Sequence, residues 1–483
     1  MIFTSFQYLL FLPAVVLLYW VLPQRLRLPM LLLASYYFYM SWIPIFGLLI
    51  LGMTLFNWLW GKLLSNAQSN RKHIFTAGIA INLICLGYFK YANFFLDTAH
   101  NLLRPITHAG SHAALNIILP LGISFFAFEF IHYLFEIYRG RQPINSFVLF
   151  ALFASFFPTQ IAGPIKRYPD FEAQMQDEKK LSLSYFDEGI PLIIIGVAKK
   201  LLLADNLAVV VDMMASTHSA YGSLETWFVA YAFAMQIYFD FSGYTDIARG
   251  SALLFGYHIP LNFNLPYIAN NISDFWRRWH ISLSSWLRDY LYIPLGGSKG
   301  SKLNTDRNLL LTMALGGLWH GASWNFVVWG VFHGLCLIAH RNFSQWRENT
   351  TVLKGFFESK WFSALSVILT FHVVCIGWVF FRITDINAAF SMVKKMVLLS
   401  PIYTRAEAGH FLVLKPDLPV IVPLVMLLVA GLLLATPVVG YLRQSGFFGR
   451  VPAPLKALYF TLVIFAVITF FPDNSTPFIY FQF

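Results

Sequence analysis

Charge is what this sequence of 483 residues has little of. Asp, Glu, Lys and Arg together make up 12% of it, against about a quarter in soluble globular chains. A soluble enzyme of this length needs more ionic side chains than that to cover its surface, so that class is excluded. Disorder is excluded with it, because 58% of the residues are apolar and disordered segments lack such content. Cysteine is scarce too. Cys85, Cys336 and Cys375 each lie in an apolar run without CxxC spacing, which offers neither a disulfide framework nor a zinc site, and no metal is expected. A GxGxxG after a strand, a GxxxxGK followed by Ser or Thr, an HExxH and a GxSxG elbow are all missing. Nucleotide-dependent, zinc-peptidase and hydrolase chemistries therefore lack their local geometry. No internal repeat is visible, which counts against a transporter built of two matching halves.

What is present is a succession of long apolar runs. A spanning helix needs ~20 apolar residues, so the length accommodates roughly ten to twelve spans, and the expected fold class is an all-α polytopic membrane protein solvated by membrane lipid. Lys and Arg number 34 against 23 Asp and Glu. Their surplus sits in short loops, as the positive-inside rule expects of cytosolic segments, and nucleic acid is not an expected partner. The opening run has no basic stretch before it and no A-x-A site after it, and reads as a retained first span. Spans are expected at 5–22, 29–40, 43–60, 74–96 and 119–138, with Arg25 and Arg27, then Lys62, Arg71 and Lys72, then Arg139 and Arg141 marking three cytosolic returns. His100, Arg104, His108 and His112 fall in a loop on the opposite side.

The stretch 146–165 is broken by Pro158, Gly163 and Pro164 and has basic residues at both ends. It reads as a re-entrant hairpin, whose irregular backbone survives at membrane depth only where protein or water satisfies it. The run 190–213 carries Lys199 and Lys200 in its middle, which predicts a bend. Further spans at 227–241, 309–339, 362–381, 418–442 and 458–471 bring the total to roughly eleven, and 262–307 is the main non-spanning region.

Two stretches carry candidate chemistry. From Asn308 to His340 there is no Asp, Glu, Lys or Arg, and His320, in LGGLWHGASW, sits among Gly316, Gly317 and Gly321. Glycines there let backbones approach closely or break a helix. An ionisable group at membrane depth is a functional candidate by default, and the alternative is a neutral imidazole hydrogen-bonded between helices. His333, in VWGVFHGLC, leans to the structural reading. In NISDFWRRWHISLSSWLRDYLYIPLGG, Ser273 is expected to cap a single interfacial helix of about twenty residues, with Asp274 in its first turn and Pro294, Gly296 and Gly297 stopping it. Trp276, Trp279, Leu283, Trp286, Leu287 and Tyr290 recur at three and four, which points His280 inward with the aromatic stripe. Arg277, Arg278, Arg288 and Lys299, with Lys302 and Arg307, form a basic face on the cytosolic side. That face suits either anionic lipid headgroups or a phosphate-rich acyl donor.

Among the other charges, Asp246 and Arg249 are spaced to pair, whereas Asp240 has no partner in the sequence. Glu129, His132 and Glu136 fall on one helix face and read as structural or cavity-lining. A neutral buried imidazole can accept a proton from a hydroxyl that attacks an activated acyl group. Spacing alone carries the chemistry no further.

At these residues the sequence resembles the membrane-bound O-acyltransferases (MBOAT), in the bacterial branch that serves alginate O-acetylation, with the teichoic-acid D-alanyl transfer proteins as relatives. The similarity runs through MIFTSFQYLLFLP, SYYFYMSW, LPLGISFFAFEFIHYLFEIYRG, FFPTQIAGPIKRY, KKLLLADNLA, QIYFDFSGYTDIARG, NFNLPY, RRWHISL, GGLWHGASW, WVFFR and the closing FIYFQF. It implies one transmembrane domain over 1–483, divided into spans at 1–141, a core at 142–340 and further spans at 341–483. The implied fold is a ring of about eleven helices, with re-entrant and interfacial helices around a central funnel and tunnel. His320 is implied as catalytic and His280 as the second active-site position. Trp319, Asn325, Asp240 and Tyr244 are expected to line the tunnel, and Arg277, Arg278, Arg288 and Lys299 to dock the donor. The implied reaction moves an acetyl group from a cytosolic thioester, acetyl-CoA or another acyl thioester, with no permanently bound cofactor. It continues through a periplasmic SGNH-type acetyltransferase to a polysaccharide acceptor, in the bacterial inner membrane. The alternatives are a non-catalytic carrier of an acyl donor or lipid-linked sugar, and transfer to teichoic acid, peptidoglycan or lipid.

Overall fold

The computed structural model describes residues 1–107, 114–216, 222–398, 451–470 and 477–481, and among them every regular element is helical. The span expected at 418–442 and the loop residues His108 and His112 lie outside the described residues. Among the described residues three helices, Ile45–Asn66, Arg71–Ile106 and Lys360–Arg382, are long and apolar enough to cross a membrane, and Phe6–Val21 and Ala453–Thr469 are shorter apolar helices. Three of the runs expected to be single spans are interrupted, one of them, 74–96, by a π-turn at Gly87–Tyr91. The stretch 309–339 is divided between helices Lys302–His320 and Trp324–Asn349. The stretch 190–213 changes from α-helix to a π-turn at Lys199–Ala204, where the two mid-run lysines predict a bend.

The chain divides into two compact units, one of residues 1–196 and 244–261, the other of 197–243 and 262–482. In the first, helix Ile123–Tyr138 is largely apolar apart from Glu129, His132 and Glu136, and is buried from Ile123 to Leu134, as a helix in the middle of a bundle must be. Beside it, the short helix Phe147–Ser155 gives way to irregular chain, and residues 156–166 are all buried. This is the segment read as re-entrant, and protein supplies several of its polar partners. The Phe157 N–H donates to Ser35 Oγ at 3.1 Å, and Lys166 Nζ donates to Glu129 at 2.7 Å and to Thr159 Oγ1 at 2.6 Å. Glu129, His132 and Glu136 are occupied likewise. The Tyr168 N–H donates to His132 Nε2 at 2.8 Å, and Glu136 pairs with Arg139 at 3.1 Å. Asp246 and Arg249 stand 3.8 Å apart in this unit.

In the second unit the expected twenty-residue interfacial helix is two short ones, Ile272–Arg278 and Ile281–Leu287, followed by a π-turn at Arg288–Tyr292. Asn271, not Ser273, caps the first, its side chain accepting from the Asp274 N–H at 2.8 Å. The aromatic periodicity runs through the junction, but the preceding segment 262–264 captures the backbone there. The Asn264 N–H donates to Arg278 O and the Ile281 N–H to Asn262 O, each at 2.9 Å. The Asn262 side chain then accepts from Ser282 Oγ at 2.6 Å.

Candidate functional site

The site is built on the hairpin of Lys302–His320 and Trp324–Asn349. Glycines set its closeness. A Cβ on Gly317 would stand against Phe326 O and 3.0 Å from Gly330 Cα, and one on Gly330 would meet Met313 O. No larger residue fits either position without spreading the helices. His320 is the last residue of the first helix, Gly321 continues extended at φ −162°, and Ser323 caps the second helix by accepting from the Asn325 N–H at 3.3 Å. This tight reversal holds the imidazole inside the unit, 5% exposed, so it does not face lipid.

His280 arrives from the break between the two short helices. Its backbone is left-handed, at φ +43°, a conformation rare outside glycine that survives only where surroundings impose it. Here the Asn262 and Asn264 pairings impose it. The ring is fully buried, edge-on to Phe241 at 4.7 Å between centroids. Among the described residues neither of its nitrogens has a hydrogen-bond partner.

The two imidazoles border the same pair of side chains. Trp319 lies 5.0 Å from His320 and 6.3 Å from His280, and Tyr480 lies 5.6 Å and 6.4 Å from them, all between ring centroids. Trp329 at 5.0 Å and Phe381 at 5.3 Å close the pocket around His320. The Tyr480 hydroxyl is buried without a hydrogen-bond partner among the described residues. Sequence reasoning did not single out Tyr480. Its one signal was the FIYFQF motif, which has no periodicity to place it.

The remaining candidates separate. Asp240 is buried and has a partner after all: Lys200 Nζ stands 3.1 Å from it and 2.7 Å from Asp205. The Ile479 N–H donates to its other oxygen at 2.8 Å. Asn325 is buried and donates to Ile383 O, which ties the second hairpin helix to the end of Lys360–Arg382. Tyr244 belongs to the first unit, where it stacks on Phe3 at 4.5 Å. His333 is fully buried against Trp329 at 4.9 Å and Trp276 at 5.3 Å.

Of the basic face, Arg278 is drawn back onto Asp274 at 2.9 Å, and Lys299 is exposed. Arg277, 68% exposed and 3.8 Å from Asp274, and Arg288, 64% exposed and 2.7 Å from Asp289, stand at a cavity of about 460 Å³. Ser284, Thr312 and Trp276 also line it. Trp276 lies 5.7 Å from Trp329, so two indole rings separate this cavity from His320. Beside Arg288, the Asp289 hydrogen bond pushes the guanidinium up and keeps it charged.

Residues 135–380 match the sequence pattern of MBOAT, the membrane-bound O-acyltransferase family. The chain is 42% identical to the probable alginate O-acetylase AlgI of Azotobacter vinelandii, over 82% of this chain and 78% of the relative. It is 36% identical to the peptidoglycan O-acetyltransferase of Helicobacter pylori, over 83% and 81%. It is 30% identical to the teichoic acid D-alanyltransferase of Bacillus subtilis, over 66% and 80%.

Proposed function

The chain belongs to the membrane-bound O-acyltransferase family, and from that premise we propose that this acyltransferase moves an acetyl group from a cytosolic thioester to the periplasmic side for O-acetylation of an alginate-like exopolysaccharide. The donor is acetyl-CoA or another acyl thioester. The onward partner is a periplasmic SGNH-type acetyltransferase, and the setting is a ring of helices in the bacterial inner membrane with Trp319 at the tunnel wall.

The observation that carries this reading is the convergence of two buried imidazoles, from separate motifs, on Trp319 and Tyr480. An acyl transfer needs a base for the attacking hydroxyl and a donor for the developing oxyanion. His320 takes the proton of the acceptor hydroxyl as its oxygen attacks the thioester carbonyl, and the C–S bond breaks. The thiolate then receives that proton. His280, with ring nitrogens unengaged among the described residues, donates to the oxyanion. Arg277 and Arg288, at the cavity rim, meet the phosphate-rich end of the donor together with the exposed Lys299, while Arg278 is held on Asp274.

The test is purified protein in vesicles, given a labelled acetyl thioester and an acceptor. Wild type forms labelled acetyl ester, and His320→Ala, inserted to the same level, loses ~10²–10⁴-fold in turnover. Full activity in His320→Ala overturns the catalytic assignment. Passage of the label with no ester formed identifies a carrier, and label on peptidoglycan or lipid in cells redirects the acceptor.

A further inference from the structure

The buried charges at the π-turn of the second unit have a task that the transfer chemistry does not use. Lys200 stands in the π-turn Lys199–Ala204, where the altered winding turns it toward Asp205 and Asp240, at 2.7 and 3.1 Å. A carboxylate held this way keeps its other oxygen available. That oxygen of Asp240 accepts the main-chain N–H of Ile479 at 2.8 Å. Two residues earlier in the same helical run, Tyr238 packs edge-on to Phe263 and tilted against Trp279, so Asp240 is fixed by packing as well as by charge.

The segment received by Asp240 is the one that carries Tyr480. Phe478 stacks on Tyr480 at 5.5 Å and leans on Phe241 at 5.7 Å, while Tyr480 itself reaches Phe241 at 4.5 Å. These ring contacts give the segment a place but no register, because aromatic faces slide over one another at little cost. A hydrogen bond from one main-chain N–H to a charged oxygen does give register, being directional and stronger than a neutral one.

We propose that Asp240, oriented by Lys200, is the positioning residue that seats segment 477–480 and so sets the Tyr480 ring beside those of His320 and His280. The proposal rests on the reading of those histidines as the transfer site. It adds that the π-turn with its buried lysine exists to hold the site's aromatic wall in register. Asp240 acts through the Ile479 N–H and touches neither histidine in this role.

Amide hydrogen exchange of the full-length protein in detergent tests the clasp directly, through a peptic peptide covering 477–483. In wild type that peptide exchanges slowly. Asp240→Ala speeds its exchange on the order of tenfold to a hundredfold, the value of a hydrogen bond to a charged group. Asp240→Asn, which retains an acceptor oxygen, recovers part of the protection. In the transfer assay Asp240→Ala lowers kcat with donor KM unchanged. Ile479→Pro removes the N–H while leaving Asp240, Lys200 and Asp205 in place, and it lowers kcat likewise, whereas Ile479→Val does not. Should Asp240→Ala disturb insertion, Ile479→Pro carries the test by itself. Unchanged protection in Asp240→Ala, or full turnover by Ile479→Pro, overturns the proposal. Because the exchange measurement does not involve acetyl transfer, an active His320→Ala variant sinks the functional reading while leaving the clasp standing.

Discussion

Replacing Gly317 with Ala places a methyl group where the two helices of the hairpin meet. Its Cβ would stand 3.0 Å from both Gly330 Cα and Gly330 N, in addition to its clash with Phe326 O. Ordinary carbon–carbon separations are about 3.5–4.0 Å, so the helices must part by about 0.5–1 Å. These neighbours are backbone atoms, which do not swing aside as a flexible side chain does. Gly317 lies three residues before His320, on the same helical turn, so the displacement passes to the imidazole almost undiminished. Overpacking of this size costs about 1–3 kcal/mol of stability. A misplacement near 1 Å costs on the order of 10²-fold in rate. The expected result is a protein that still inserts but turns over about a hundredfold more slowly.

The assay is acetyl transfer normalised to inserted protein, with kcat and donor KM measured separately. Gly52→Ala is the control, because a Cβ there meets nothing within 4 Å. If Gly317→Ala keeps kcat within about twofold of wild type while Gly52→Ala does the same, the close approach of the two helices does not set the His320 position.

Three further outcomes follow from the same geometry. Glu129→Gln leaves the Lys166 ammonium, 1% exposed, without its buried countercharge and destabilises the protein by about 3–5 kcal/mol; adding Lys166→Met recovers most of that loss, as thermal unfolding in detergent will show. Arg277→Gln and Arg288→Gln each raise donor KM roughly two- to fivefold, with kcat unchanged, and the effect shrinks at high salt because both side chains are largely exposed. Burial pushes the Glu172 carboxyl up, against the opposing pulls of the Tyr168 hydroxyl and Arg141. Its stabilising contribution is therefore whole below about pH 4.3 and lost as pH rises through the folded value, so Glu172→Gln should be more stable than wild type near neutral pH and gain nothing in acid.

The interruptions of the fold were legible where the sequence carried a local cause. Lys199 and Lys200 in an apolar run predict a bend, and a π-turn stands there. Pro158, Gly163 and Pro164 predict irregular chain, and it is found fully buried. Interruptions with a distant cause were not legible. Nothing between Ile272 and Leu287 breaks the helical periodicity; the break at Trp279 and His280 comes from Asn262 and Asn264, which bond to the backbone there. The reversal at Gly321–Ser323 is only three residues long within an apolar stretch, so hydropathy reads the two helices as one span. The glycines that mark it are informative only once Gly317 is seen against Gly330.

The same distinction governs the site. Every ionisable residue inside an apolar run begins as a functional candidate, because leaving it unpaired at membrane depth is costly. The sequence has no means of cancelling that candidacy for Glu129 or Asp240, since Lys166 and Lys200 lie in separate runs. Pairing cancels it: Glu129 closes on Lys166 at 2.7 Å, and Asp240 lies within 3.1 Å of Lys200. His280 and Tyr480 differ in kind. They are polar, enclosed by Phe241 and Trp319 or by Phe241 and Phe478, and their hydrogen-bonding groups are unengaged among the described residues. A fold that satisfies its buried charges so thoroughly would gain by satisfying these groups as well, unless a substrate is to do it. That inference needs the pairing of residues 239 positions apart, which no reading along the chain provides.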